Sequence, residues 1–396
     1  MSEPEAPKKG GRNLAKTLIS LVWIYGGRGV GMLWTLALIA QLSISDYGLY
    51  SMAFALMSIV GPALNNPYAV RALRESEDRF LGERAGRYLL GVAILLIGQL
   101  FINVNYIAWF GLTTAGGELV MKAYLSRANR DGHPDRSFRM DTIRQMSSVA
   151  LGSIYLFSTD HPKLLVASIV YCLPYAVVIV ITGFVVRGHR PKAPGSPKLM
   201  ALLAGEMLGT ALYLQGDVLL LGWMTSHATA GYYSLTWTVA SAIATVGMSY
   251  SGTYVESLRE HDGDVSAGPP LKNTLTLAAV GGSLVLLTGI GLLISPAPTE
   301  LAVAMMIMSI YCAVRTTILV FQTILYTQRR DVFRFGVAVG LVPFKLLAVA
   351  ALAAWAGLGA VGGAIATAGT DAVLLAIFAT ALYGKRLARK TAEDPA

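Results

Sequence analysis

The sequence is poor in the residues on which most enzymes and metalloproteins depend. It has two cysteines, Cys172 and Cys312, both inside apolar segments, so buried filler is expected rather than a disulfide or a metal cluster. Its five histidines, His133, His161, His189, His227 and His261, all fall in connections between apolar runs, where solvated surface is the expected role. A Walker loop, an aspartate-rich prenyl-diphosphate motif and a nucleophile elbow are all missing, which argues against ATP hydrolysis, prenyl transfer and serine hydrolase chemistry. Charge is scarce as well, at 14% of residues against 54% hydrophobic. The chain is therefore expected to be no enzyme and to need no cofactor or metal.

What it has instead is long hydrophobic runs, with a mean hydropathy of +0.56. About 20 apolar residues cross the roughly 30 Å of membrane hydrocarbon as a helix. Twelve segments meet that need: 14–40, 47–70, 86–104, 106–126, 140–158, 163–186, 199–222, 230–253, 273–294, 300–324, 335–355 and 359–383. Glu118, Lys122, Asp141 and Arg144 interrupt the fourth and fifth. The first run is too long for a cleaved signal peptide, and no small-x-small site ends it before Gln41.

Of the 32 Lys and Arg residues, 28 fall on one side of this arrangement, Lys163 alone on the other, and Arg28, Arg315 and Lys345 within the spans. By the positive-inside rule both termini are expected in the cytoplasm. The net charge of +9 then reflects topology and anionic lipid headgroups, and no nucleic-acid partner is expected.

The chain repeats itself. Gly48-Leu49-Tyr50-Ser51 recurs as Gly231-Tyr232-Tyr233-Ser234, and Ala72-Leu73-Arg74-Glu75 is echoed by Ser257-Leu258-Arg259-Glu260. Asp135-Arg136-Ser137-Phe138-Arg139 pairs with Arg330-Asp331-Val332-Phe333-Arg334. The expected fold class is an all-α integral membrane protein with twelve transmembrane helices in two pseudo-symmetric six-helix lobes, related by an axis along the membrane normal. Its parts are a cytoplasmic tail (1–13), an N-lobe (14–186), a Pro/Gly-rich linker (187–198), a C-lobe (199–384) and a basic cytoplasmic tail (385–396).

A cation at the centre of a membrane helix costs about 2.5–3.5 kcal/mol on insertion scales, so it normally faces protein or a wet cavity. Arg28 lies twelve residues beyond Lys16, hence about 18 Å deep, among Gly26, Gly27, Gly29 and Gly31. Lining a cavity and pairing with a structural carboxylate are both open to it. Glu206, Thr210, Tyr213 and Asp217 are spaced 4, 3 and 4 and share one helix face, and Asp217 either neutralises a cation such as Arg28 or couples an ion. Tyr311, Arg315 and Gln322 fall roughly on one face of the tenth span. Lys345, following Pro343 and about 16 Å deep, either serves a substrate or pairs locally, for instance with Asp371. Asn65-Asn66-Pro67-Tyr68 and Pro174 are expected to break helical hydrogen bonding.

The stretch Leu42-Ser43-Ile44-Ser45-Asp46-Tyr47-Gly48-Leu49-Tyr50-Ser51 resembles the segment between the first two helices of Wzx-type polysaccharide flippases. Leu214-Gln215-Gly216-Asp217-Val218-Leu219-Leu220-Leu221-Gly222, followed by Ala230-Gly231-Tyr232-Tyr233, resembles the start of their second half. These flippases form the polysaccharide-transport branch of the MOP superfamily, relatives of lipid II flippases and MATE exporters, and the resemblance runs over most of the chain. It implies alternating-access transport of a polyprenyl-diphosphate-linked oligosaccharide from the inner to the outer leaflet of a bacterial plasma membrane, for cell-surface polysaccharide biosynthesis. Arg28 matches a basic residue midway along that family's first helix, and Asp217 a recurrent acid in its seventh; Arg315 and Lys345 rest on the burial argument alone.

The substrate-binding set is expected to be Arg28, Arg315 and Lys345 for the pyrophosphate, with Tyr25 and Tyr213 for sugar rings. Asp217, Glu206 and Asp371 are the expected charge partners or H⁺/Na⁺ coupling sites. Membrane lipid and glycan polymerase or assembly proteins are the further partners. The alternatives are a cation-coupled MATE-like exporter of small organic molecules, a membrane glycosyltransferase or polymerase, and a non-transporting scaffold.

Overall fold

In a computed structural model the described residues are 26–393, apart from 28, 73 and 329, and helix is their only regular structure. That follows from the composition, because hydrocarbon offers no partner to a backbone N–H or C=O and a helix satisfies both internally. The long elements are α1 (Gly29–Gln41), α2 (Ile44–Ala72), α3 (Glu77–Gln99), α4 (Tyr106–Arg130), α5 (Pro134–Ser158), α6 (Leu164–Val186) and α7 (Pro197–Met224). There follow α8 (His227–Ala244) with the short α9 (Val246–Gly252) and α10 (Val255–Glu260), then α11 (Leu271–Ile294), α12 (Thr299–Thr327), α13 (Asp331–Val349) and α14 (Gly359–Glu393). Seven of them, α2, α6, α7, α11, α12, α13 with the turn that ends it, and α14, are long and apolar enough to cross a membrane.

The twelve expected spans correspond to these elements, with four differences. The third begins at Glu77 and ends at Gln99, so Arg84 and Arg87 are helical. The fourth and fifth run on through their charged residues to Arg130 and from Pro134. The eighth is interrupted at Thr245, whose hydroxyl bonds back to the Ala242 carbonyl at 2.7 Å and competes with the helical ladder. Finally, α2 continues through Pro67, and α6 through Pro174, where breaks in the helical hydrogen bonding were expected. A proline removes one N–H and strains one turn, but flanking packing can hold the helix through it.

The chain divides into two compact units, Met1–Leu208 and Gly209–Ala396, at a point inside α7. In the first unit α3 and α4 touch backbone to backbone: a Cβ on Gly116 would lie 2.5 Å from the Gly91 carbonyl. An aromatic cluster fills the other side of α4, with Phe110 5.5 Å from Tyr50 and Trp34 5.1 Å from Tyr171, ring centre to ring centre. In the second unit α12 is central, and its Ile318, Phe321, Ile324 and Leu325 pack with Leu374 and Phe378 of α14.

The repeat recurs in the structure of each unit. Gly48 and Gly231 are each the fifth residue of their helix, and Tyr50, Ser51, Tyr233 and Ser234 are all buried.

Candidate functional site

The second unit holds a ladder of buried charge. On α7, Tyr213 and Asp217 are one turn apart and face the same way, and on α14 Thr367 and Asp371 do likewise. The two helices run in opposite senses, so Tyr213 meets Asp371 and Asp217 meets Thr367. On the first rung the Tyr213 phenol donates to Oδ1 of Asp371 at 2.6 Å, and Nη1 of Arg315 from α12 reaches Oδ2 at 3.4 Å. On the second, Nζ of Lys345 from α13 lies 2.6 Å from Oδ2 of Asp217 and donates to the Tyr213 main-chain carbonyl at 2.7 Å. The Tyr233 hydroxyl from α8 and that of Thr367 also hydrogen-bond Oδ2 of Asp217, and the Val218 N–H donates to Oδ1 at 2.9 Å.

These groups differ in access. Lys345 and Asp217 have side chains 2% and 0% exposed, whereas Arg315 keeps 14% beside an Asp371 at 1%. The Lys345–Asp217 pair is therefore dry and mutually neutralised. Arg315 offers five donors and holds its carboxylate by a single long contact, leaving donors for another partner.

A second network lies in the first unit. Glu118 and Lys122 of α4 are one turn apart, as are Asp141 and Arg144 of α5. Nη2 of Arg144 bridges Glu118 at 2.8 Å and Asp141 at 3.1 Å, and Lys122 completes the set on Asp141 at 3.0 Å. Tyr175 of α6 accepts from Nη1 of Arg144 at 3.0 Å and donates to Glu118 at 2.8 Å. Gly117 makes room for that ring, since a Cβ there would sit 2.5 Å from it. Beside Arg144 an apolar groove of about 370 Å³ opens between α4, α5 and α6, walled by Ile143, Leu151, Leu173, Val177 and Ile181.

Of the residues singled out in the sequence, the structure brings together Tyr213, Asp217, Arg315, Lys345 and Asp371. It pairs them differently from expectation. Lys345 takes Asp217 rather than Asp371, and Asp371 takes Arg315. Spacing along one helix gives depth and face, but which helix stands opposite is a tertiary matter. Lys345, for which substrate contact and local pairing were both open, is enclosed and makes its contacts within the protein. The Tyr213 phenol, expected to meet sugar, is buried against Asp371. Glu206 is exposed on α7, and Tyr25 and Arg28 lie outside the described residues. The α4–α5 network was not among the expected site residues. Its signal was present in the i, i+4 pair Glu118/Lys122 and the i, i+3 pair Asp141/Arg144, which marked these helices as interrupted.

No family model matches the sequence, and none of the curated proteins does. Solved structures match over nearly the whole chain. An outward-facing multidrug resistance MATE family transporter of the MOP superfamily is 13% identical, with 94% of each chain covered and a TM-score of 0.57. The lipid II flippase MurJ, in an inward closed conformation, is 11% identical over 92% of this chain and 87% of that one, with a TM-score of 0.69. A MOP superfamily transporter from Pyrococcus furiosus Vc1, described as having a binding pocket of reverse polarity, is 10% identical over 96% and 95%, with a TM-score of 0.52. At these identities the likeness is one of fold. The chain shares the fold of these MATE and MurJ structures and, with seven helices among the described residues long and apolar enough to cross a membrane, is a multi-pass membrane protein.

Proposed function

We propose that the chain is a flippase that carries a polyprenyl-diphosphate-linked oligosaccharide from the inner to the outer leaflet of a bacterial plasma membrane for cell-surface polysaccharide assembly. Transport proceeds by alternating access, with both termini cytoplasmic, as the one-sided distribution of Lys and Arg implies. The single observation that carries this reading is Arg315. It is a permanently charged guanidinium within a membrane helix, held by one 3.4 Å contact and still 14% exposed. When it turns toward a pyrophosphate, Asp371 keeps the hydrogen bond from Tyr213, so the carboxylate is not left bare. Arg28 is proposed as a further phosphate ligand on the depth of its position in the sequence alone. The resemblance to polysaccharide flippases and the fold shared with a lipid II flippase support the same cargo class. The apolar groove beside Arg144 provides hydrocarbon-compatible surface in a lipid-handling protein.

The test is reconstitution in liposomes with a labelled lipid-linked oligosaccharide. Wild type accelerates flipping, and Arg315→Ala slows it about tenfold or more, the loss of one charge-assisted phosphate contact worth about 1.5–3 kcal/mol. Undiminished flipping by a folded Arg315→Ala protein removes Arg315 from the mechanism.

Export of small organic cations draws support from the MATE structures of the same fold. Such cargo needs an available buried acid. In the second unit Asp217 and Asp371 each already hold a cation supplied by the chain. Drug-resistance profiling of a deletion strain separates the two readings.

A further inference from the structure

The surroundings of Lys345 are those of a bound cation. Nζ rests against a carboxylate oxygen of Asp217 at 2.6 Å and the Tyr213 main-chain carbonyl at 2.7 Å. The hydroxyls of Tyr233 and Thr367 converge on that same carboxylate oxygen, 2.8 Å from each other. Carboxylate, carbonyl and hydroxyl oxygens are the donors that hard metal cations select, and here they come from α7, α8 and α14 while the cation arrives on α13. The ammonium also lies 5.0 Å from the centre of the Tyr213 ring, and Lys345 is only 2% exposed. The side chain thus delivers one positive charge to an oxygen-lined, water-excluded position in which Asp217 cannot stand alone without a large desolvation cost.

We propose that this is a monovalent-cation site with a built-in occupant: Lys345 fills it permanently, the second unit binds no exchangeable Na⁺ there, and shortening Lys345 opens the site to Na⁺. Asp217, an ion-coupling candidate by sequence, is then committed to a tethered ion. The proposal concerns cation binding alone and stands or falls independently of the cargo.

The experiment uses full-length protein in lipid nanodiscs, with radiolabelled Na⁺ binding and thermal unfolding in NaCl against N-methylglucamine chloride at equal ionic strength. Wild type is expected to show no Na⁺ binding and no Na⁺-dependent shift in unfolding temperature that Asp217→Asn removes. Lys345→Ala is expected to bind Na⁺ saturably and to gain about 5 °C from saturating Na⁺, a gain that Asp217→Asn in the same chain abolishes. Sodium binding by wild type that Asp217→Asn removes overturns the proposal, and so does a Lys345→Ala protein indifferent to Na⁺. If Lys345→Ala folds only when prepared in Na⁺, the proposal is supported. If it fails even there while Lys345→Ala with Asp217→Asn folds, the site does not accept the ion and the proposal is lost.

Discussion

Tyr213 links two buried acids of the second unit: its phenol donates to Asp371 at 2.6 Å, and its main-chain carbonyl receives Lys345, the partner of Asp217, at 2.7 Å. One residue of α7 therefore joins two ion pairs built from four helices. The side-chain half of this link can be removed without touching the main-chain half.

Tyr213→Phe does that. It takes away a donor to a buried carboxylate and leaves the ring and the carbonyl in place, at an expected cost of about 1.5–3 kcal/mol. At about 2–4 °C per kcal/mol for a unit of this size, the unfolding midpoint in nanodiscs should fall by several degrees. An unchanged midpoint would mean that Arg315 alone satisfies Asp371.

The Lys345–Asp217 pair predicts strong non-additivity. Lys345→Met leaves a buried carboxylate without its counterion, and Asp217→Asn leaves a buried ammonium, each costing about 3–5 kcal/mol. The double variant holds no buried charge at these positions and is expected to be more stable than either single one. Thermal unfolding of the four proteins in a cycle measures the coupling, and simple addition of the two losses would show that the charges do not sense each other.

Much of the architecture was legible because hydrocarbon permits so few backbone arrangements. Runs of apolar residues placed the helices, and the Gly48 and Gly231 motifs placed the repeat. The starts of α3 and α5 were obscured by charge. Arg84 looks like a loop residue, yet it lies in α3 and donates to the Ala123 and Tyr124 carbonyls of α4 at 2.8 and 2.9 Å. Similarly, Lys345 and Asp371 could each be placed deep in the membrane from sequence. That Asp217 faces the first and Arg315 the second depends on how α7, α12, α13 and α14 turn about their axes, which spacing within one helix does not encode.

In the first unit the Arg144 network depends on the absence of one methyl group. A Cβ on Gly117 would lie 2.5 Å from the Tyr175 ring, so Gly117→Ala must push away the phenol that links Arg144 to Glu118. Overpacking of this kind costs about 1–3 kcal/mol. The accompanying Tyr175→Ala substitution should recover part of that loss by vacating the space, whereas a simple helix-propensity effect would make Gly117→Ala stabilising on its own. Unfolding midpoints of the two single variants and the double decide between them.

The connection after α6 offers the last test. It lies flat on α3: the Lys192 N–H donates to the Gly82 carbonyl at 2.9 Å, and a Cβ on Gly86 would come within 2.2 Å of the Lys192 carbonyl oxygen. Gly86→Ala cannot keep that contact, because the obstacle is main chain and has no rotamer to give. The segment should lift, losing a hydrogen bond worth about 1 kcal/mol, and its population of open forms should rise about fivefold. Lys192, followed by Ala193, is a trypsin site, whereas Pro191 blocks cleavage after Arg190, so cleavage at Lys192 should accelerate by a similar factor when digestion is slow compared with reclosing. Gly205→Ala is the matched control, since a Cβ there meets only open space. Equal cleavage rates in both variants would show that the connection is not held by its contact with α3.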